Sequence, residues 1–533
     1  METLQEKLKP GGRYLYGFEL VSTRGSMEAQ KAIAARRFSQ ALSHYDAIDW
    51  ISITDNAGGN PMLAPAALGR PILYAGKEVI IHLACKDFNR NGLESEAWHL
   101  ASEGFHNILT LSGDAPVAGN GGVAKGVFDI DSVGLLSMLN HMNQGVMANH
   151  AAGKGADLAP TQFFSGAVTT NFKRYENEVV PQYLKLKKKI ACGAQFIINQ
   201  IGFDARKMHE LIGYMQQEQL DHVPLIGNVY VLSGFTSRLF HSGKIPGVSV
   251  NEKLLSICQK QAKSADKGKS FFLELAAKQS AIYKGLGYRG SYLGGVHRIA
   301  DVERFFEIEQ SFSGEDWKEF SKELSFCEAN EFYLYGQDET TRLSTPGVLS
   351  QQYLDSIKKP KKQLGYQFAK GMHDLLFTQN SVAAKMGGKI CGGAKDNMQG
   401  PVWMRLAEHA SKKVLFNCQD CGDCSLPDIA FLCPESQCAK NQRNGPCGGT
   451  REGLCEVTDK ECIWGRAYDR LKSKQDHMAL LDHVPVIQDQ GLRGTSSWAN
   501  TWLGRDHHAK VADVNNKINV IQDKDKELVK NNG

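Results

Sequence analysis

Across the first 310 positions, short apolar runs alternate with stretches of helical periodicity. The runs rich in β-branched and aromatic residues are RYLYGFELV at 13–21, DWISITD at 49–55, EVIIHLAC at 78–85, HNILTLSGD at 106–114, TQFFSGAVT at 161–169, AQFIINQIG at 194–202, VPLIGNVYV at 223–231 and SYLGGV at 291–296. Between them, 27–44, 93–104, 175–193 and 205–217 have helix-like spacing, and 251–286 is long enough for two helices. Strands that alternate with helices read as βαβ units around a parallel sheet. Eight such strands predict an α/β fold, a closed (β/α)8 TIM barrel, which needs about 250 residues plus insertions. A doubly wound open sheet is the alternative.

Chemistry in such a barrel gathers where loops leave the C-terminal ends of the strands. The polar residues expected there are Glu19, then Thr54, Asp55 and Asn56, then His82 and Asp87, then Ser112, Gly113 and Asp114, then Thr169 to Asn171, and finally Gln200. Apolar residues flank Glu19 and Gln200, so their side chains must point into the barrel mouth or be buried. Any single one of these groups is ordinarily a hydrogen-bonded structural residue. Several independent strands that place polar groups on one rim weaken that reading. Two glycine-rich strings resemble dinucleotide-binding loops only by spelling. Gly285 to Gly290 runs from helix into strand, the reverse of the Rossmann order, and Gly119 to Gly122 reads as a rim loop.

A chain of 533 residues exceeds one ordinary core. The expected division is a barrel at 1–315, a helical connector at 316–390, a cysteine-rich metal-binding domain at 391–480 and a C-terminal extension at 481–533. The formal charge of +4 gives no reason to invoke nucleic acid or a membrane surface. The lysine runs Lys185 to Lys189 and Lys358 to Lys362 are expected to be solvated helix faces. No apolar run approaches the roughly 20 residues of a spanning helix, and nothing at the N-terminus resembles a signal peptide, so a cytoplasmic protein is expected.

Eight of the thirteen cysteines, Cys418, Cys421, Cys424, Cys433, Cys438, Cys447, Cys455 and Cys462, crowd into 45 residues. In a cytoplasmic chain that density points to metal rather than disulfides. The successive x2 spacings of Cys418, Cys421 and Cys424 let three thiolates converge from one loop, as in ferredoxin-type [4Fe–4S] ligation, and Pro434 follows Cys433 as it commonly follows the last such ligand. Zinc is the alternative, and eight thiolates suffice for two sites of either kind. Cys433 leads as the fourth ligand of the first site. The tail string SSWANTWLGRDHH from Ser496 carries two Trp and a Leu that need somewhere to pack, whereas the last twenty residues or so read as a frayed polar end.

The strings ISITDNAGGNPML, IIHLACKDFNR and GFHNILTLSGDAP, with GFELV before them and KKKIACGAQFIINQIGFD after, resemble the methylenetetrahydrofolate reductase family. That resemblance implies a flavin-dependent reduction of 5,10-methylenetetrahydrofolate to 5-methyltetrahydrofolate in one-carbon metabolism. It implies that Glu19 is the general acid, that Asp114 sits beside flavin and pterin, and that Gln200 and Phe235 contact folate. Thr54, His82, Ser112, Gly113, Ala167, Thr169 and Lys189 would hold the flavin. The chain departs from the family in reading Leu20-Val21-Ser22-Thr23 after the acid, Ser112 where some members place Arg, and Gln182 where some carry an acidic flavin contact, so FAD and FMN both stay open. The strings CQDCGDCSLPDIAFLCPESQCAK, RNGPCGGTREGLCEV and CIWGRAYDRLK resemble the C-terminal domain of longer members, and a separate partner subunit of the reductase in acetogenic bacteria. If the cysteines hold Fe–S clusters, electrons enter from ferredoxin or another redox subunit; if zinc, NAD(P)H is the donor. A homo-oligomer is expected. Two rivals are a pterin-binding methyltransferase barrel and a non-catalytic electron-transfer scaffold.

Overall fold

The computed structural model describes residues 2–145, 158–358, 364–378, 380–482 and 484–509. The polar end beyond residue 509 and most of the Lys358 to Lys362 run lie outside them. Eight parallel strands close into a barrel: β1 (Leu15–Leu20), β2 (Trp50–Ile53), β3 (Glu78–Ala84), β4 (Asn107–Leu111), β5 (Phe164–Thr169), β6 (Phe196–Asn199), β7 (Leu225–Tyr230) and β8 (Gly290–Gly294). Each pairs with its neighbours in sequence, and β8 returns to β1 with Leu15 opposite Gly290. Every residue of β2, β6 and β8 is buried. Sheets covered on both faces favour such continuous apolar runs over alternation, which is why all eight strands could be read from the chain.

Leu15, Trp50, Ile80, Leu109, Phe164, Phe196 and Ile226 fill the N-terminal half of the barrel, and Leu4 and Leu8 close it from below. Gly17 stands opposite Trp50 in register, and a Cβ there would come within 1.9 Å of the indole. The missing side chain leaves room for the Trp50 ring. Outward strand faces pack against the helices in a second, larger core. Three barrel helices escape the periodicity, Pro65–Tyr74, Ser132–Asn143 and Gly234–His241. The stretch expected to be a helical connector also holds a hairpin, Tyr335–Gln337 with Ser344–Leu349, packed on the helix Ala205–Gln217.

The expectation that Lys185 to Lys189 face solvent is wrong. All four lysines of that run, Lys185, Lys187, Lys188 and Lys189, are buried on the helix Glu176–Ala191. The helix is covered by the cysteine module, whose helix Ile463–Lys472 packs along it. Lys185 Nζ donates to Gln442 Oε1 and Gly445 O at 3.1 Å each. Lys187 pairs with Glu218 at 2.5 Å, and Lys188 lies 5.7 Å from the centre of the Trp464 ring. Tertiary partners thus supply what water would have supplied.

The module reaches the barrel rim itself. Gly448 (φ +90°) lies so close that a Cβ would stand 2.6 Å from Thr170 Oγ1. Both its left-handed backbone and this contact require glycine. Beyond the module, Val382–Gly392, Val402–Phe416 and Ser497–Trp502 enclose a separate small core of Cys391, Met404 and Ala499. Among the described residues no helix is long and apolar enough to cross a membrane.

Candidate active site

A cavity of about 380 Å³ opens at the C-terminal mouth of the barrel. Glu19, Thr54, His82, Ser112, Gly113, Asp114, Lys189 and Gln200 all line it, so eight of the eleven barrel residues to which the family resemblance gives a role converge on one space. Ala167 and Thr169 are buried in β5, in the barrel wall. Phe235 is not brought to the cavity: it is 66% exposed on the helix Gly234–His241, and Tyr230 and Phe240 are the aromatic residues on that side.

Glu19 is half-buried, with its accessible surface facing the cavity. Enclosure by the barrel raises its pKa, offset in part by the Tyr292 hydroxyl, which donates to Glu19 Oε2 at 3.3 Å. The same hydroxyl lies 3.3 Å from His82 Nε2. Burial pushes His82 down to about 4, so its imidazole is neutral at ordinary pH. A protonated Glu19 can therefore donate to Tyr292, and Tyr292 to His82. Nothing in the sequence marks Tyr292 as a site residue, since a tyrosine in the middle of an apolar strand reads as core. Its place in β8, directly across the closure from β1, is what sets it beside the acid.

Asp114 accepts from Gly58 N at 3.0 Å, which fixes the carboxylate on the cavity wall. Ser112 donates to Gln442 Oε1 at 2.9 Å, and Lys440 Nζ donates to Gly113 O at 2.8 Å. The loop after β4 is thus bound directly to the cysteine module. Lys440 also pairs with Glu456, and with Cys447 these two residues form part of the cavity wall.

The structure brings the eight cysteines together in two sets. Cys418 and Cys421 each have Cys424 and Cys433 as electrostatic neighbours. Cys438 has Cys447 and Cys455, and Cys462 has Cys447 and Cys438. Cys438, Cys447, Cys455 and Cys462 line one gap beside Trp464, and Cys447 lines the barrel cavity as well. None of the thirteen cysteines is in a disulfide. Four thiolates in each set are enough for a tetrahedral zinc ion or for a cuboidal iron–sulfur cluster.

The cavity suits a flavin in its donor set. Lys189 donates to the Val168 carbonyl rather than to a carboxylate, and burial pushes its pKa down to about 7, so an anionic group would be welcome beside it. The buried hydroxyl of Thr169 has no hydrogen-bond partner.

Two family models match the chain. Residues 4–281 match the methylenetetrahydrofolate reductase model, more than half the chain, and residues 402–490 match a model described as the methylene-tetrahydrofolate reductase C terminal. The chain belongs to the methylenetetrahydrofolate reductase family. Membership makes it an oxidoreductase acting on methylenetetrahydrofolate, in a long form with the C-terminal domain fused. Among curated proteins none matches. Similar solved structures include an uncharacterized protein from Clostridium thermocellum that binds two copies of 5-methyl-5,6,7,8-tetrahydrofolic acid, at 15% identity over 57% of this chain and 97% of that one, TM-score 0.38. DmoA from Hyphomicrobium sulfonivorans matches at 9% identity over 55% and 86%, TM-score 0.34. A dihydropteroate synthase from Coxiella burnetii in complex with pteroic acid matches at 9% over 56% and 92%, TM-score 0.30.

Proposed function

We propose that this reductase uses a flavin, FAD or FMN, to convert 5,10-methylenetetrahydrofolate to 5-methyltetrahydrofolate, with electrons entering through Fe–S clusters on the two cysteine sets. The observation that carries the reading is Cys447, a member of the second set that also lines the cavity holding Glu19. A redox group there stands next to the reaction space, whereas a purely structural metal has no need of that position. Reduced ferredoxin or another one-electron carrier is the fitting donor.

Bound flavin supplies the reducing equivalents that the folate carbon accepts. The chain's own residues handle position and protons. Glu19, whose pKa its enclosure raises, gives its proton to the bridging nitrogen as the carbon–nitrogen bond opens, and Tyr292 and His82 form the chain through which the proton is replaced. Asp114, held by Gly58 N on the cavity wall, would set its carboxylate beside the ring systems. Gln200 would offer its amide to folate, while Thr54, His82, Ser112, Gly113 and Lys189 would hold the flavin. Lys440, Cys447 and Gly448 of the cysteine module wall one side of the mouth, which would limit water there.

Anaerobic purification followed by iron, sulfide and zinc determination tests the electron route, together with rapid mixing against reduced ferredoxin and against NADPH. Iron and sulfide at cluster stoichiometry are expected, with ferredoxin reducing the flavin and Cys447→Ser slowing that step while chemically reduced flavin still turns over folate. Stoichiometric zinc without iron would leave the module structural and NAD(P)H as donor.

A further inference from the structure

Beside the first cysteine set and away from the barrel mouth, two histidines and three aspartates meet inside the C-terminal lobe. Asp428 sits on the turn Pro427–Ile429, and His507 and His508 sit on the turn His507–Ala509, which brings together residues about 80 positions apart. The two oxygens of Asp428 each face one imidazole, Oδ2 to His507 Nε2 and Oδ1 to His508 Nε2, both at 2.9 Å. One ligand atom from each of the three residues lies within 4.8 Å of the others.

The far side of each ring is also held by a carboxylate. His507 Nδ1 contacts Asp423 Oδ1, and Asp423 is itself fixed by Asp489 N at 2.9 Å. His508 Nδ1 lies 3.5 Å from Asp506 Oδ2, which accepts the Thr501 hydroxyl at 2.6 Å. Asp423, Asp428, Asp506 and His507 are all buried. A simple structural ion pair needs one carboxylate per histidine. Here both Nε2 atoms converge on one shared carboxylate while each Nδ1 has its own, and this is the outer-shell pattern that fixes the tautomer and aim of metal-bound imidazoles. Two imidazoles and one carboxylate on one face are a ligand set for divalent first-row ions.

We propose that His507 Nε2, His508 Nε2 and the Asp428 carboxylate bind one divalent transition-metal ion, with Asp423 and Asp506 as positioning residues. A mostly apolar cavity of about 270 Å³ lies against His508, bounded by Trp498, Thr501, Phe431 and Cys424, and gives access from one side for the remaining coordination positions. The site ties the last described turn to the loop between Cys424 and Cys433.

The test uses the full chain, prepared anaerobically and washed with a mild chelator under conditions that leave cysteine-bound metal in place, and titrates it with Co²⁺. One equivalent is expected, with visible ligand-field bands and no thiolate-to-metal charge transfer in the near ultraviolet. His508→Ala and Asp428→Asn should each lose that equivalent and keep the iron, sulfide or zinc of the cysteine sets. Asp506→Asn keeps all three ligands and guards against misfolding of the first two variants; it should weaken cobalt binding by about 10- to 100-fold. No uptake by the parent, uptake only with thiolate bands, or unchanged affinity in Asp506→Asn would overturn the proposal.

Discussion

Ser112, at the end of the fourth barrel strand, donates its hydroxyl to Gln442 of the cysteine module at 2.9 Å, across 330 positions of chain. The same Gln442 oxygen accepts from the buried Lys185, and its amide nitrogen donates to Lys440 O at 2.9 Å. One side chain thus satisfies groups from two barrel elements and one module loop. Gln442→Ala should destabilise the whole chain by about 2 kcal/mol, the scale of a lost hydrogen bond to a charged group together with an orphaned hydroxyl. Denaturant unfolding measures this directly, and a change under about 0.5 kcal/mol would count against the role.

Glu19→Gln should retain flavin and lower folate turnover by about 10² to 10⁴, the range for a lost general acid. A stability effect accompanies it. Enclosure raises the folded pKa of Glu19 above its ordinary value of 4.5, so the folded chain binds this proton more tightly than the unfolded chain. That contribution is complete below the unfolded value and is lost as pH rises through the folded one. Glutamine does not titrate. The stability of the variant relative to the parent should therefore improve from pH 4 upward, as thermal melts across that interval would show.

Tyr292→Phe removes the hydroxyl that stands between Glu19 and His82 and leaves the ring in the core. Because that hydroxyl holds the Glu19 pKa down, its loss should move the alkaline limb of the activity profile to higher pH. Turnover at the plateau should fall by about tenfold or more as reprotonation slows. An unmoved limb would exclude Tyr292 from the proton path.

Asp114→Asn keeps an oxygen for Gly58 N and deletes a negative charge from the cavity wall. Negative charge beside a flavin disfavours its reduction, so the variant's flavin potential should become more positive, with little change in melting temperature. Anaerobic potentiometric titration reads the shift.

The barrel strands were legible because burial on both faces writes an unbroken apolar run, and the cysteine sets because thiols crowd so closely only where they share a metal or a disulfide. The rim residues followed from strand ends alone: each was placed by knowing where its strand stopped. What could not be read was whatever depends on the distant half of the chain. Lys185 to Lys189 look like a solvated face until Gln442, Gly445 and Trp464 are known to cover them. Tyr292 looks like core until β8 closes on β1. The helix Pro65–Tyr74 was hidden by proline at its start and again at Pro71, and that of Ser132–Asn143 by burial of eight of its twelve residues, which erases the polar side of the pattern. Phe235 reads as a folate contact by resemblance, but it projects from the outer side of its helix.

The covering of Lys185 has a cost in time. Its partner Gln442 is 257 residues further along the chain, so at roughly 5 to 20 residues per second a ribosome needs about 13 to 50 s to deliver it. During that interval a nascent barrel carries a helix whose ammonium groups are still hydrated on the face destined for the interior. Final docking must then strip that water. Docking of the cysteine module onto that helix is therefore a desolvation, and it waits on the synthesis of the segment that carries the cysteines.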